Sequence, residues 1–486
     1  MSSTDVRFLA VWTWAKAIER FLAGSRIVWV FLAIAAPSCG FLVIATPPFQ
    51  TPDAPNHFFR AYQVSRGVLI GKHVGGSSGG FIDSGVVAFG GLEEPLKFHK
   101  ERKWTDTLAI EAVNAKLTKE EIPTAFPNTA PYPAPNYLPQ AIAFLVFGHG
   151  DGSLLRIYRF ACLFNAICAI GMTALALRLA RHTRPLIFVV ALLPMTLSLM
   201  ASVSQDATLI PLGFLIIGWF DFLCFTQKPL TRNTAIGLAV LITTASIARI
   251  PYIAFMLLFL HPSIRVTASS EGYGWLRRLV WAAPTFVAIA IIYLVQTHLA
   301  SGNMRSGRSM GAQTQYVLTH LSSIPELIRQ TFITYGGLYV RSFVGVLGWL
   351  DTYFPTGVYS VAKVIILLTI VYGALRRSAD DRNPSSLFTP LWPFLSFLAS
   401  CALIFYGLYA FWSAVGAKEI EGVQGRYFLP IFPLLAMVIV PFVSRRLSET
   451  RLLTGTRAVI AVAVLGLPVV MFFETIELIL ERFYVG

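Results

Sequence analysis

Apolar runs close to bilayer length recur from residue 27 to residue 478, and the short connectors between them gather arginine and lysine. A hydrocarbon core about 30 Å thick takes about 20 apolar residues to cross as a helix. Lipid offers no partner to backbone N–H and C=O groups, so such runs must bond within themselves. The runs fall near 27–44, 153–177, 185–201, 207–226, 234–248, 251–263, 279–299, 356–375, 389–413, 427–444 and 457–478. The expectation is an all-α polytopic integral membrane protein with about 11 transmembrane helices, in a range of 10–13 because 234–248 and 251–263 are short for two crossings. Only 13% of the 486 residues are charged, too few to coat a water-soluble globule of this size.

The formal charge of +14 suggests nucleic acid at first sight, but the cations are clustered in connectors. These are Arg178, Arg181 and Arg184; Lys228 and Arg232; Arg265, Arg277 and Arg278; Arg376, Arg377 and Arg382; and Arg445, Arg446 and Arg451. With alternating spans they all fall on one side, which the positive-inside rule makes cytoplasmic, together with the N-terminus. No nucleic-acid partner is expected. The scheme requires that 137–147 and 332–350 do not cross, which makes them candidate re-entrant or surface helices. Cys39, Cys162, Cys168, Cys224 and Cys401 lie in apolar stretches, so neither a disulfide framework nor a zinc site is readable. The chain divides into a cytoplasmic interfacial segment 1–25, a first transmembrane helix 26–46, an extracytoplasmic loop or cap 47–133, and a multi-span bundle 134–486. A connection as long as 47–133 is functional or disordered. Its secondary structure is left open, and Gly71-Lys72-His73 within it lacks the Ser or Thr of a phosphate-binding loop.

Five polar clusters remain, all at the expected extracytoplasmic ends of spans. In the first, Thr51 can cap a helix with Pro52 at its first position and Gly67 can end it, so Asp53, His57 and Arg60 share one face. Alternatively Asp53 only neutralises the helix start, and His57 and Arg60 meet headgroups or water. The second is Ser202-Val203-Ser204-Gln205-Asp206, where the carboxylate can be a cap. The third is Arg249-Ile250-Pro251-Tyr252, whose arginine can snorkel to lipid phosphate or hold a lipid-phosphate ligand. The fourth is Arg341 followed by the Gly345–Thr352 stretch with Trp349 and Asp351; Trp349 can equally belong to an interfacial belt. The fifth is Glu421–Pro430, with Gln424-Gly425-Arg426-Tyr427 at its centre, opening the penultimate span. Five clusters on one face point to a shared extracytoplasmic site.

The strings PDAPNHFFRAYQ, SQDA, ARIPY, GVLGWLDT and EGVQGRYFLPIFPL, in this order, resemble the bacterial membrane-protein family called domain of unknown function 2142, over roughly residues 30–445. That family in turn resembles the C superfamily of glycosyltransferases (GT-C). The resemblance implies a bacterial inner-membrane enzyme that moves a sugar from a polyprenyl-phosphate-linked donor to a glycan or glycolipid acceptor of the cell envelope, inverting its configuration. The family often has Asp-Glu where this chain has Asp53-Ala54, so a divalent metal has weak support and no cofactor is assigned. On this reading Asp53 is the base and His57 its partner. Arg249, Arg341 and Arg426 are candidates for the phosphate, with Tyr252, Gln424 and Tyr427 beside them, and Arg60, Asp206, Trp349 and Asp351 are further candidates. A transporter or flippase of a lipid-linked saccharide, or a non-catalytic assembly protein, is the alternative, although transporters usually show repeated halves and none is visible.

Overall fold

The computed structural model describes residues 13–14, 16–22, 24–74, 76–149, 152–264, 274–300, 309–375, 390–443 and 451–485. Most of segment 1–25 and the connector residues Arg265, Arg376, Arg377, Arg382, Arg445 and Arg446 therefore lie outside the described residues. The first span is α1 (Ile27–Ala45). A cap follows, with α2 (Ala54–Ser65), the antiparallel sheet β1 (Lys72–Val74), β2 (Ser77–Asp83) and β3 (Glu121–Ala125) in the order β1-β2-β3, and the short helices α3 (Ser84–Gly90) and α4 (Asp106–Asn114). The cap is tied internally by Asp83, whose carboxylate accepts the backbone N–H groups of Gly85 and Val86 at the start of α3 and those of Thr118 and Lys119 across the loop, at 2.7–3.3 Å. A buried carboxylate that accepts several amides supplies the partners that the sheet and helix ends lack.

The chain then enters the bundle. α5 (Leu138–Phe147) has ten residues, a length of about 15 Å that is too short to cross. α6 (Leu154–Leu179) starts against the cap, where the Leu154 N–H donates to the Ala115 carbonyl at 2.9 Å. The run expected at 185–201 is broken into α7 (Arg184–Ala191) and α8 (Pro194–Met200), because Pro194 cannot donate the N–H that would continue the first helix. α9 (Asp206–Thr226) is the most enclosed span, and it packs along α6. Between Asp206 and Asp221 near its two ends it is apolar on every side, as a helix surrounded by others must be. α10 (Arg232–Ala248) ends at Arg249. Pro251 interrupts the α-helical ladder, and Ile250–Leu260 continues as a 3₁₀ helix of 11 residues, far beyond the usual three or four. At about 2.0 Å per residue it covers about 22 Å. The remaining helices are α11 (Gly274–Ala300), α12 (Met310–Thr319), α13 (Ile324–Val344), α14 (Thr356–Leu375), α15 (Leu391–Phe411), α16 (Leu434–Val443) and α17 (Arg451–Phe483), with β4 (Val346–Leu347) and β5 (Thr352–Tyr353) paired between α13 and α14.

Among the described residues, seven helices are long and apolar enough to cross a membrane. The other apolar runs of the sequence fold as the broken pair α7 and α8, as α10, as the 3₁₀ helix and as α16. The cap and the described basic connector at 178–184 lie at opposite ends of α6. α6 begins at the cap and runs 26 residues, about 39 Å, to Arg178. There Asp221, near the end of α9, accepts the N–H groups of Arg181, His182 and Thr183 at 2.7–2.9 Å. At the far end of the chain, Arg457 pairs with Glu19 at 3.2 Å near the start of α17, and Arg482 reaches the cap carbonyls of Leu96 and Arg102 at 2.7 and 3.0 Å.

Candidate functional site

Asp53 does not share a helix face with His57 and Arg60, and Thr51 is not the cap. The helix begins one residue after Asp53, with Pro55 in its first turn, and Asp53 itself is left-handed (φ 61°) and uses no side-chain oxygen to cap it. Few residues other than glycine take this conformation, and aspartate is among those that tolerate it. The carboxylate is thereby turned off the helix, and its Oδ1 accepts from the Asn128 side chain at 2.9 Å. The Asn128 loop is pinned to α2 by Thr129, whose hydroxyl donates to the Asn56 carbonyl at 2.7 Å. Asn128, rather than His57, therefore orients Asp53. Its position 75 residues downstream leaves no local signal by which sequence reasoning could find it.

His57 is buried and shares a 2.7 Å hydrogen bond with the Tyr137 hydroxyl. Burial lowers its pKa to about 4; the charges of Asp53 and Asp206 oppose that shift and those of Arg426 and Arg249 add to it. The imidazole is thus neutral at pH 7. Arg60 meets neither headgroup nor water. It is fully buried and donates to the carbonyls of Tyr132, Val68 and Leu69 and to Gln63 Oε1 at 2.5–3.0 Å, a clamp that holds the cap loops on α2.

Asp206 is the centre of charge. Its two oxygens lie 2.9 and 3.1 Å from Arg249 Nη2, and Oδ2 lies 3.9 Å from Arg426 Nη1. Both guanidiniums also face the Tyr427 ring, with Cζ 4.4 Å (Arg249) and 5.4 Å (Arg426) from its centroid. The Gln424–Tyr427 string can reach this position because Gly425 has no side chain: a Cβ there would collide with the Tyr339 carbonyl and the Phe343 backbone. The Gly425 N–H donates to Ser342 Oγ at 2.8 Å. Tyr252 is a strut rather than a ligand, buried with its hydroxyl donating to the Tyr427 carbonyl at 2.9 Å. Several polar atoms here have no partner: Arg426 Nε, Gln424 Oε1 and both polar atoms of the Gln205 side chain. Each such atom costs about 1–3 kcal/mol when buried and left unmade.

Four strings therefore converge, bringing Asp53, His57, Asp206, Arg249, Gln424, Arg426 and Tyr427 together. Three expected members, Arg341, Trp349 and Asp351, do not join them. Arg341 stands exposed on α13 without a hydrogen bond or ion pair, held away because its helix turns Ser342 toward the site. Trp349 and Asp351 form a separate network: Trp349 Nε1 donates to the Phe49 carbonyl at 3.0 Å under Lys97, 4.1 Å from its ring, and Asp351 lies 3.5 Å from Arg482. Asp206 faces two guanidiniums and Asp53 an amide, and among the described residues no three His, Cys, Asp or Glu side chains group as metal ligands.

Apolar helices around a buried charged site, closed at one end by a small cap, define a polytopic all-α membrane protein. The chain belongs to the family described as predicted membrane protein (DUF2142), whose model matches residues 38–435 and so covers every residue of the converged site. No curated protein matches the chain, and no solved structure does.

Proposed function

We propose that the protein is a membrane glycosyltransferase of the bacterial inner membrane, which transfers a sugar from a polyprenyl-phosphate-linked donor to a glycan or glycolipid acceptor on the extracytoplasmic face. The observation that carries this reading is Arg426. Its side chain is only 5% exposed, and its nearest carboxylate oxygen is 3.9 Å away and already paired with Arg249. A buried cation left short of a counter-charge suits an anion, and a guanidinium suits phosphate through two parallel hydrogen bonds. The basic connectors at the opposite end make that end cytoplasmic by the positive-inside rule, which turns the cap outward.

In the reaction, an acceptor hydroxyl oxygen attacks the anomeric carbon as the bond from that carbon to the phosphate oxygen breaks. The electron pair leaves on the phosphate, and the hydroxyl proton passes to Asp53. Asp53 Oδ1 is occupied by Asn128, which leaves Oδ2 to take the proton. Arg426 and Arg249 stabilise the charge on the departing phosphate, and Asp206 holds Arg249 in place. Attack opposite the leaving group inverts the anomeric carbon.

The test compares cell-envelope sugar composition in wild type, a deletion strain and a strain carrying Asp53→Asn, with membrane protein levels measured in parallel. The expected result is loss of the same sugar in deletion and variant while the variant protein remains inserted. A sugar lost only in the deletion strain would remove Asp53 from catalysis and favour transport or assembly.

A further inference from the structure

The cap also holds a groove of about 320 Å³, between the C-terminal end of α2 and the sheet. β1 pairs with β2 only over 77–79, and the Gly71 N–H then turns to the Ala130 carbonyl at 3.1 Å, so among the described residues no strand pairs with 80–83 of β2 on that side. Gln63 forms part of the lining, fixed by Arg60 Nη1 at 3.0 Å and by donation to the Gly79 carbonyl at 3.3 Å. Gly80 keeps the space open, since a Cβ there would run into the Gln63 amide. Phe81 stands 59% exposed in the same lining.

The charges of the lining are unequal. Arg66 lies 3.9 Å from Glu121, whose carboxylate also accepts from Tyr62 at 2.9 Å. Lys72 and His73 are exposed, and their side chains make no hydrogen bond or ion pair. An exposed ring offers a face to the apolar side of a pyranose, an amide and a carboxylate suit its hydroxyls, and Lys72, a cation without a counter-charge, calls for an anion. We propose that this groove binds the acceptor as an anionic oligosaccharide, gripping it several sugar units away from the hydroxyl presented to Asp53. The 12 residues of α2 set that spacing, because the helix carries Asp53 at one end and Gln63 and Arg66 at the other, about 18 Å apart. The inference rests on the glycosyl-transfer reading for its name of acceptor, but its test measures binding and is independent of turnover.

The full-length protein in lipid nanodiscs is titrated against fluorescent hexagalacturonate and, as a neutral chain of equal length, fluorescent maltohexaose. Hexagalacturonate is expected to bind more tightly than maltohexaose, and to lose at least tenfold in affinity with Phe81→Ala and with Lys72→Ala/His73→Ala. These side chains are exposed, so the variants are expected to keep the wild-type unfolding temperature. Asp53→Asn is expected to bind like wild type, which separates the groove from the catalytic reading. Failure of both oligosaccharides to bind, or binding unchanged in the groove variants, overturns the proposal. Equal binding of the neutral chain overturns the anionic class.

Discussion

Asp206 is the residue on which the site's electrostatics turn. It is a single buried carboxylate beside two guanidiniums, so removing its charge leaves two like charges facing each other out of water. Breaking a buried pair from one side costs about 3–5 kcal/mol. Asp206→Asn is therefore expected to lower the unfolding temperature of the purified protein strongly, and Asp206→Asn/Arg249→Gln to recover part of the loss. A double variant no more stable than the single one would show that Arg249 is not the partner. His57 gives a pH signature. Its folded pKa of about 4 lies below the ordinary 6.5, so between these values the unfolded chain holds a proton that the folded chain does not. Stability contributed by the neutral ring is complete above pH 6.5 and falls as pH drops toward 4, by roughly 3 kcal/mol over the window. Thermal unfolding from pH 8 to 4 should show this decline in wild type and a flatter one in His57→Gln. Parallel curves would assign the decline to other groups.

At the scale of elements, α9 approaches its neighbours through its glycines. A Cβ at Gly213 would lie 2.6 Å from Pro430 Cβ, and one at Gly218 2.8 Å from the Ala176 carbonyl. Small residues that let helices approach closely matter most where lipid already solvates apolar side chains and packing must drive association. Gly213→Ala and Gly218→Ala are each expected to cost about 1–3 kcal/mol by overpacking. Gly171→Ala in α6 meets nothing within 4 Å and should be neutral or stabilising by up to about 1 kcal/mol. Unfolding temperatures of the three variants check the contrast, and equal effects would refute it. The apolar runs that fold as helices were legible because hydrophobicity is read residue by residue. The break at Pro194 and the 3₁₀ path after Arg249 were harder to see, since a proline inside an apolar run marks an interruption without stating its geometry.

Across the whole molecule, the cap is bound to the bundle by contacts very distant in sequence. Arg482 holds the Leu96 and Arg102 carbonyls, the Trp104 N–H donates to the Phe483 carbonyl at 2.8 Å, and Trp349 holds Phe49. The segment they fix contains Lys97, Lys100, Arg102 and Lys103, all substrates for trypsin. Arg482→Ala should speed tryptic cleavage there severalfold in membranes oriented with the cap outside, while cleavage elsewhere stays as in wild type. An unchanged digestion pattern would mean that the other ties suffice.

Membrane insertion, the helical class and the segregation of basic connectors from the cap follow from the sequence alone, because the cost of placing a charge or a bare amide in lipid depends on the local run and on little else. The strings that form the site were also visible, as polar clusters at span ends. Their partnerships were not. That Asp53 is held by Asn128, that Asp206 answers both Arg249 and Arg426, and that Arg60, Tyr252, Trp349 and Asp351 build the scaffold were decided by tertiary packing. A charged side chain buried in the fold is assigned its role by whichever group lies within about 3 Å, and that neighbour comes from another helix whose position the local sequence does not encode.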